Sequence, residues 1–301
     1  MTIFLLFLAI LPTIVLGYFI YSNDKIEKEP TPLLVKLGIA GIGSVFLTLA
    51  ITYVLYLLFP FFAIADVTTL NVISLALYVF IGIALIEEFS KWILTYSIAW
   101  RNKAFNHVYD AIVYSVFVSL GFATIENILY VFGGNGIEEA ISIALNRMVF
   151  SVPGHTFFGV MMGYYLGLAK LTHVHGLKEK SKKYLFYSLA IPTICHFIFD
   201  YILMSELPIL IFFGFVGVLF GIGISKVKRL SNIPTNIFND PNNLNYVYNA
   251  FGNYSNQNQT NSNIIQNNNI QNISNNSCKY CKNCGTELKG PFCGYCGTKN
   301  Y

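Results

Sequence analysis

The chain has 301 residues, of which 54% are hydrophobic and only 11% are charged, and its formal net charge is +4. Soluble domains contain about 25% charged residues, so this composition excludes a soluble globular protein and indicates an integral membrane protein. The positive charge is concentrated in a few loops, so it bears on membrane topology and not on nucleic-acid binding.

Seven apolar segments are each long enough to cross a bilayer as a helix, which takes about 20 residues. They cover residues 2–21, 33–58, 71–99, 109–132, 146–170, 184–204 and 207–225. The first segment has no basic start and no small-residue cleavage site after it, so we expect it to be retained rather than removed as a signal peptide. The predicted fold is an all-α polytopic membrane protein with about seven transmembrane helices in a bundle.

Basic side chains follow alternate segments. They are Lys25, Lys28, Lys36, Arg101, Lys103, Lys170, Lys178, Lys180, Lys182, Lys183, Lys226, Lys228 and Arg229. The intervening loops, at residues 59–70, 133–145 and 205–206, contain neither Lys nor Arg. Because loops rich in Lys and Arg stay in the cytoplasm, the sequence predicts an N-terminus outside the cell membrane and a cytoplasmic C-terminus.

The composition changes abruptly after Arg229. Residues 231–277 are crowded with Asn, Ser and Gln, and Asp240 is their only charged residue. Such a tract cannot bury enough apolar surface to offset its ordering entropy, so it is predicted to be a disordered tether. The predicted domains are therefore a transmembrane domain at 1–230, an Asn-rich linker at 231–277 and a small domain at 278–301.

Five of the six cysteines lie between residues 278 and 296, and two CxxCG motifs pair four of them. Four thiolates in this spacing suit tetrahedral structural zinc, and so small a domain needs the metal to fold. The predicted ligands of this zinc ribbon are Cys281, Cys284, Cys293 and Cys296. Pairing Cys278 with Cys281 is an alternative that lacks the glycine after the second cysteine. A cluster of free or oxidised thiols is disfavoured because the cytoplasm is reducing.

The third apolar segment contains Glu87, Glu88 and Lys91 well inside it. An ionisable group at the centre of a membrane span costs at least about 2.5 kcal/mol, so these side chains should not face lipid. On a helix Lys91 is a neighbour of both glutamates, and it can keep one carboxylate charged while the other points elsewhere. A buried ion pair that only fixes helix packing is the alternative to a functional site.

Ionisable residues on four segments lie at one depth. Counting about 1.5 Å per helical residue from the cytoplasmic edge places each of them about 18 to 25 Å deep. They are Glu87, Glu126, His155, His196 and Asp200. Isolated structural residues would have no reason to agree in depth, so the coincidence predicts one cluster inside the bundle.

Local sequence supports the cluster. His155 follows Pro153-Gly154, which removes a backbone donor and loosens the helix beside the imidazole. Glycines then repeat every fourth residue, at Gly159, Gly163 and Gly167, so another helix can approach closely and His155 should point inward.

His196 and Asp200 share one helix face, so the carboxylate can orient the imidazole or share a metal with it. For each member of the cluster, a purely structural role is the alternative. Arg147 and Asp110 are expected to be boundary or capping groups.

Glutamates, histidines and an aspartate in a protected cavity suit the addition of water to a carbonyl group. A catalytic zinc is compatible with His155, His196 and a carboxylate from Asp200 or Glu126, which would leave an open fourth position. No HExxH motif is present, so a conventional zinc protease is excluded. No serine with a GxSxG context is present either, which leaves no convincing serine nucleophile.

At these residues the chain resembles the PrsW family of intramembrane proteases, which is related to the CAAX-processing and bacteriocin-processing membrane proteases. The resemblance covers about residues 1–225. It rests on Glu87-Glu88-x-x-Lys91, Phe122-x-x-x-Glu126-Asn127, Pro153-Gly154-His155 and His196-x-x-x-Asp200, in this order on successive segments. It implies a polytopic membrane endopeptidase that cleaves a membrane-associated protein, and in the family the best-known role is site-1 cleavage of a membrane-anchored anti-sigma factor. That particular substrate is not carried over to this chain.

The resemblance also implies roles for single residues. Glu87 would be the general base, with Glu88 held near Lys91 or assisting. His155 and His196 would bind a metal or the oxyanion. Asp200 and Glu126 would orient or ligate, and Asn127 would support the site. Whether catalysis uses a metal or glutamate-activated water alone stays open at this point.

Two other functions compete with the protease. Buried ionisable residues also line ion pathways, so a transporter or channel is one alternative, although the chain shows no repeated halves. A nonenzymatic membrane anchor that displays the zinc ribbon to a cytoplasmic protein partner is the other. The anchor leaves the common-depth cluster without a purpose, so the protease prediction is preferred.

Overall fold

The structure is a computed structural model that describes residues 2–64, 66–205 and 207–231, and over these residues it contains helices and connecting turns but no strand. The predicted zinc ribbon, with Cys281, Cys284, Cys293 and Cys296, lies outside the described residues. The Asn-rich segment does too, except for its first residue.

The helices follow one another through short connections. They are α1 (Thr2–Ser22), α2 (Thr31–Leu58), α3 (Val72–Leu77), α4 (Ile86–Ala99), α5 (Asp110–Gly133), α6 (Ile137–Asn146), α7 (Val152–Val174), α8 (Lys178–Met204) and α9 (Ile209–Leu230). A π-helical stretch, Tyr78–Leu85, joins α3 to α4, and a second, Arg147–Ser151, joins α6 to α7. Two short 3-10 turns, Pro60–Ala63 and Val67–Thr69, lie between α2 and α3.

Within the part of the chain that the structure describes, six helical stretches are long and apolar enough to cross a membrane: α1, α2, the continuous stretch Val72–Ala99, α5, α8 and α9. The protein is therefore a multi-pass membrane protein. α7 is long enough to belong to this group but is less apolar than its members, and its position in the bundle explains why. It packs against α1, α5, α8 and α9, and 19 of its 23 residues are buried. A helix surrounded by other helices needs no lipid-facing apolar surface, so it can carry glycines and polar residues instead.

The glycine stripe on α7 makes the close contact that the sequence predicts. A Cβ atom added to Gly163 would lie 2.3 Å from the backbone oxygen of Ala111, and one added to Gly167 would lie 2.5 Å from that of Val108. Both positions tolerate no side chain because the backbone of α5 and of the residues just before it occupies the space. α5 and α7 consequently form the closely packed centre of the bundle, next to the site described below.

The loop predicted at residues 133–145 contains a helix, because Ile137–Asn146 form α6. Ala140 and Ala144 on α6 are buried and pack with Leu5 and Ala9 of α1. Ten residues are too few to span a bilayer. Segment length and apolarity therefore do not predict this helix, which is stabilised by packing against α1.

Candidate active site

Four helices place ionisable side chains at one point inside the bundle. α4 contributes Glu87, Glu88 and Lys91 directly after its π-helical stretch, α5 contributes Glu126, α7 contributes His155, and α8 contributes His196 and Asp200. One network of ion pairs and hydrogen bonds joins these seven side chains, which include the six predicted catalytic residues.

The two glutamates of α4 differ in their surroundings. Lys91 Nζ lies 2.8 Å from Glu88 Oε1 and 3.5 Å from Glu87 Oε2. The side chains of Lys91 and Glu88 are fully buried, whereas that of Glu87 is 13% exposed. Glu88 is thus held in a tight buried pair, while Glu87 is the more accessible and less tightly bonded carboxylate.

His155 bridges the lysine and Glu126. Its Nδ1 lies 3.2 Å from Lys91 Nζ, and its Nε2 lies 2.7 Å from Glu126 Oε2. An ammonium group can only donate, so Nδ1 must accept, and Nε2 then donates to the carboxylate. These contacts hold the imidazole in its neutral Nε2–H tautomer.

His196 has carboxylates on both sides. Its Nδ1 lies 3.0 Å from Glu88 Oε1 and its Nε2 lies 3.1 Å from Asp200 Oδ2. Carboxylates only accept, so a histidine that bonds to both donates from both nitrogens and is positively charged. Phe158 stacks on the ring with centroids 4.6 Å apart, which favours a cation at this position. Neither the charge of His196 nor the role of Phe158 was inferred from the sequence.

Arg147 belongs to the network and not to the boundary of the bundle, so that expectation is corrected. Its Nη2 lies 2.8 Å from Glu126 Oε2, and its Nε donates to Asn127 Oδ1 at 2.7 Å. Asn127 in turn donates to the backbone oxygen of Ala9 at 3.1 Å. The π-helical stretch from Arg147 to Ser151 changes the angular register of the helix, so a count along a regular α-helix misplaces this side chain. An arginine in an apolar segment was the signal available.

Asp110 lies at the boundary that was expected of it, as the first residue of α5, but α5 has no side-chain cap hydrogen bond. Asp110 Oδ2 accepts instead from the backbone nitrogens of Asn106 at 2.9 Å and His107 at 2.6 Å, which precede the helix.

The network carries an excess of negative charge. Its four carboxylates are Glu87, Glu88, Glu126 and Asp200, and its three cationic groups are Lys91, Arg147 and His196, so four minus three leaves one uncompensated negative charge. In a low-dielectric interior such a charge is costly unless a proton or a metal ion balances it.

The donor set fits a metal ion. Glu87, Glu126 and His155 each offer one ligand atom, and these atoms lie within 4.8 Å of one another. Two carboxylates and an imidazole are a ligand set that zinc accepts with a position left open for water. This group shares His155 with the set predicted from the sequence. His196 and Asp200, the other two predicted ligands, bond to each other.

The sequence of the chain is similar to those of known membrane proteases. The profile of a family described as "PrsW family intramembrane metalloprotease" matches residues 29–224. "Protease PrsW" of Clostridioides difficile is 34% identical over 236 residues, which cover 78% of this chain and 94% of that protein. "Protease PrsW" of Oceanobacillus iheyensis is 37% identical over 222 residues, covering 73% and 93%. "Protease PrsW" of Bacillus subtilis is 31% identical over 234 residues, covering 75% and 94%. No solved structure matches the chain.

Proposed function

The chain belongs to the PrsW family of intramembrane metalloproteases, and we propose that it hydrolyses a peptide bond of a membrane-anchored regulatory protein with a water molecule activated by Glu87. That it is an intramembrane endopeptidase follows from the family. The transporter and anchor alternatives are accordingly disfavoured. The observation that carries the proposed mechanism is the convergence of Glu87, Glu126 and His155 within 4.8 Å.

Glu87 is assigned the role of general base because its contacts leave it available. Its nearest partners are Lys91 Nζ at 3.5 Å and His196 Nε2 at 4.0 Å, both longer than ordinary hydrogen bonds. It is also partly exposed, so water can reach it. A carboxylate placed in this way can take the proton from a water that attacks the scissile carbonyl, and can later return it to the leaving amine.

The cationic groups around the base are placed to stabilise the oxyanion. Lys91, Arg147 and His196 are held in fixed positions by carboxylates, so they need no reorganisation when negative charge develops. In this assignment Glu88 and Asp200 are positioning residues, which orient Lys91 and His196.

Of the three candidate ligands, Glu126 and His155 would hold a catalytic metal ion. They are joined by the hydrogen bond from His155 Nε2, whose proton a bound ion would displace, whereas Glu87 remains free to accept a proton. When bound, the ion would polarise the carbonyl and make the attacking water more acidic. This assignment retains His155 from the predicted set but replaces His196 and Asp200, because those two residues lie outside the group whose ligand atoms converge within 4.8 Å.

Cleavage of a membrane-anchored protein tests the function directly. Wild-type protein reconstituted into vesicles with a single-span substrate should produce two fragments, and their mass should place the cut in or beside the membrane segment. Proton flux through such vesicles without any fragments would instead support a transporter.

We propose that α7 crosses the membrane as a seventh span, with the N-terminus outside and the C-terminus in the cytoplasm. The support is the absence of Lys and Arg from alternate loops. A membrane-impermeant thiol reagent applied to intact cells should label Thr69→Cys and should not label Lys180→Cys or the wild-type protein. Equal labelling of Thr69→Cys and Lys180→Cys would place both loops on one side and rule out the crossing of α7.

We further propose that residues 278–301 form a cytoplasmic zinc ribbon, tethered by residues 231–277 and available to a protein partner, and that residues 1–230 form the protease domain. Metal analysis of purified protein should find about two equivalents in the full chain and about one after truncation at Arg229. The remaining equivalent should be lost in His155→Ala. An unchanged metal content after truncation would refute the ribbon, and an unchanged content in truncated His155→Ala would refute the membrane metal site.

A further inference from the structure

A second group of carboxylates lies away from the active site. Asp24 and Glu29 are in the connection between α1 and α2, and Asp110 begins α5. All three residues are buried, with 3%, 4% and 0% of their surface exposed. One oxygen of each lies within 4.8 Å of the others. Glu126 is 16 residues beyond Asp110 on α5, which at about 1.5 Å per residue puts this group roughly 24 Å from the catalytic network.

Two oxygens of the group are buried without a donor. Asp24 Oδ2 and Asp110 Oδ1 have no hydrogen-bond partner among the described residues. Two other oxygens of the group have donors: Asp110 Oδ2 accepts from two backbone nitrogens, and Glu29 Oε2 accepts from the Tyr114 hydroxyl. A buried carboxylate oxygen with no donor is costly, and here two of them occur in one cluster.

The nearby lysine does not supply the missing partner. Lys28 Nζ donates to the backbone oxygens of Tyr21 at 2.6 Å and Ser22 at 3.2 Å, and also to that of Asp24. These three bonds use all three of its protons. The protein groups around the cluster therefore leave its negative charge poorly compensated.

We propose that Asp24, Glu29 and Asp110 bind a hard divalent cation, Mg²⁺ or Ca²⁺, where the α1–α2 connection meets α5. Oxygen ligands alone select these ions over zinc. Calcium binds oxygen at about 2.3–2.6 Å, so oxygens on opposite sides of one ion are up to about 5 Å apart, which matches the observed spread. The ion would cross-link the start of α5, the helix that carries Glu126, to the connection between the first two helices.

The test uses the full-length protein in detergent after treatment with a chelator. Mg²⁺ or Ca²⁺ at saturating concentration should raise the apparent Tm by about 5 °C, and the ion with the larger effect is the preferred one. Tb³⁺ should give luminescence on tyrosine excitation, because Tyr114 donates directly to Glu29, and the preferred ion should displace it. Running the same titrations in His155→Ala separates this site from the catalytic metal, and the response should be retained there.

Variants identify the ligands. Asp110→Asn and Asp24→Asn should each raise the cation concentration needed for the Tm shift about tenfold or more. The control is Glu179→Gln, which removes an 86% exposed carboxylate and should leave the cation response unchanged. The wild-type titration decides the matter even if a variant does not fold. Absence of a Tm shift and of Tb³⁺ luminescence in wild type would overturn the proposal, as would a response in folded Asp110→Asn and Asp24→Asn equal to that of wild type.

Discussion

Glu87→Gln is expected to lower kcat for cleavage of a membrane-anchored substrate by about 10³-fold, within the range that loss of a general base produces. The amide has nearly the same shape as the carboxylate but cannot accept the proton of the attacking water. The side chain is partly exposed and its nearest cationic contacts are 3.5 Å and 4.0 Å away. The substitution should consequently change the apparent Tm little.

The measurement is initial cleavage rate against substrate concentration in vesicles, at matched amounts of inserted protein. KM should stay nearly constant, because a proton acceptor is needed in the transition state and not for substrate binding. Glu138→Gln, which alters an exposed glutamate on α6, is the matched control and should cleave at the wild-type rate. A Glu87→Gln protein with a kcat near that of wild type would contradict the assignment of the base.

Depth was the sequence property that located the site. Helical rise is constant, so residues on separate spans can be compared by counting from the membrane edge, and in this way Glu87, Glu126, His155 and His196 were predicted to lie together. Individual contacts could not be obtained this way. Helix rotation decides which glutamate pairs with Lys91 and which ring nitrogen of His155 contacts Glu126. Packing between helices sets that rotation.

The elements that sequence analysis missed are those that tertiary packing creates. The π-helical stretches before Ile86 and Val152 have no sequence periodicity of their own, and the second of them begins at Arg147, which pairs with Glu126. α7 was not missed, because it largely coincides with the segment predicted at 146–170, although its glycines and polar residues make it less apolar than the other spans. The contact between Glu29 and Tyr114 joins residues 85 positions apart, which no local pattern records.

Lys91→Met is expected to lower both stability and activity strongly. Glu88 would remain as a fully buried carboxylate with only His196 as a cationic partner, and breaking a buried pair in this way costs about 3–5 kcal/mol. The apparent Tm should fall by roughly 10 °C. Activity should fall further than stability explains, since Lys91 also holds His155 through Nδ1 at 3.2 Å.

A double-mutant cycle separates these two effects. Combining Lys91→Met with Glu88→Gln removes both charges of the pair, so much of the lost stability should return, with a coupling energy of about 2 kcal/mol. Cleavage should not return, because a methionine side chain in place of Lys91 would leave the Nδ1 atom of His155 without its donor and remove one of the three fixed cations near the oxyanion. Apparent Tm and kcat measured on all four proteins complete the cycle. If the stability losses of the single variants simply add, the buried pair is not coupled, and if cleavage recovers with stability, Lys91 serves only to fold the bundle.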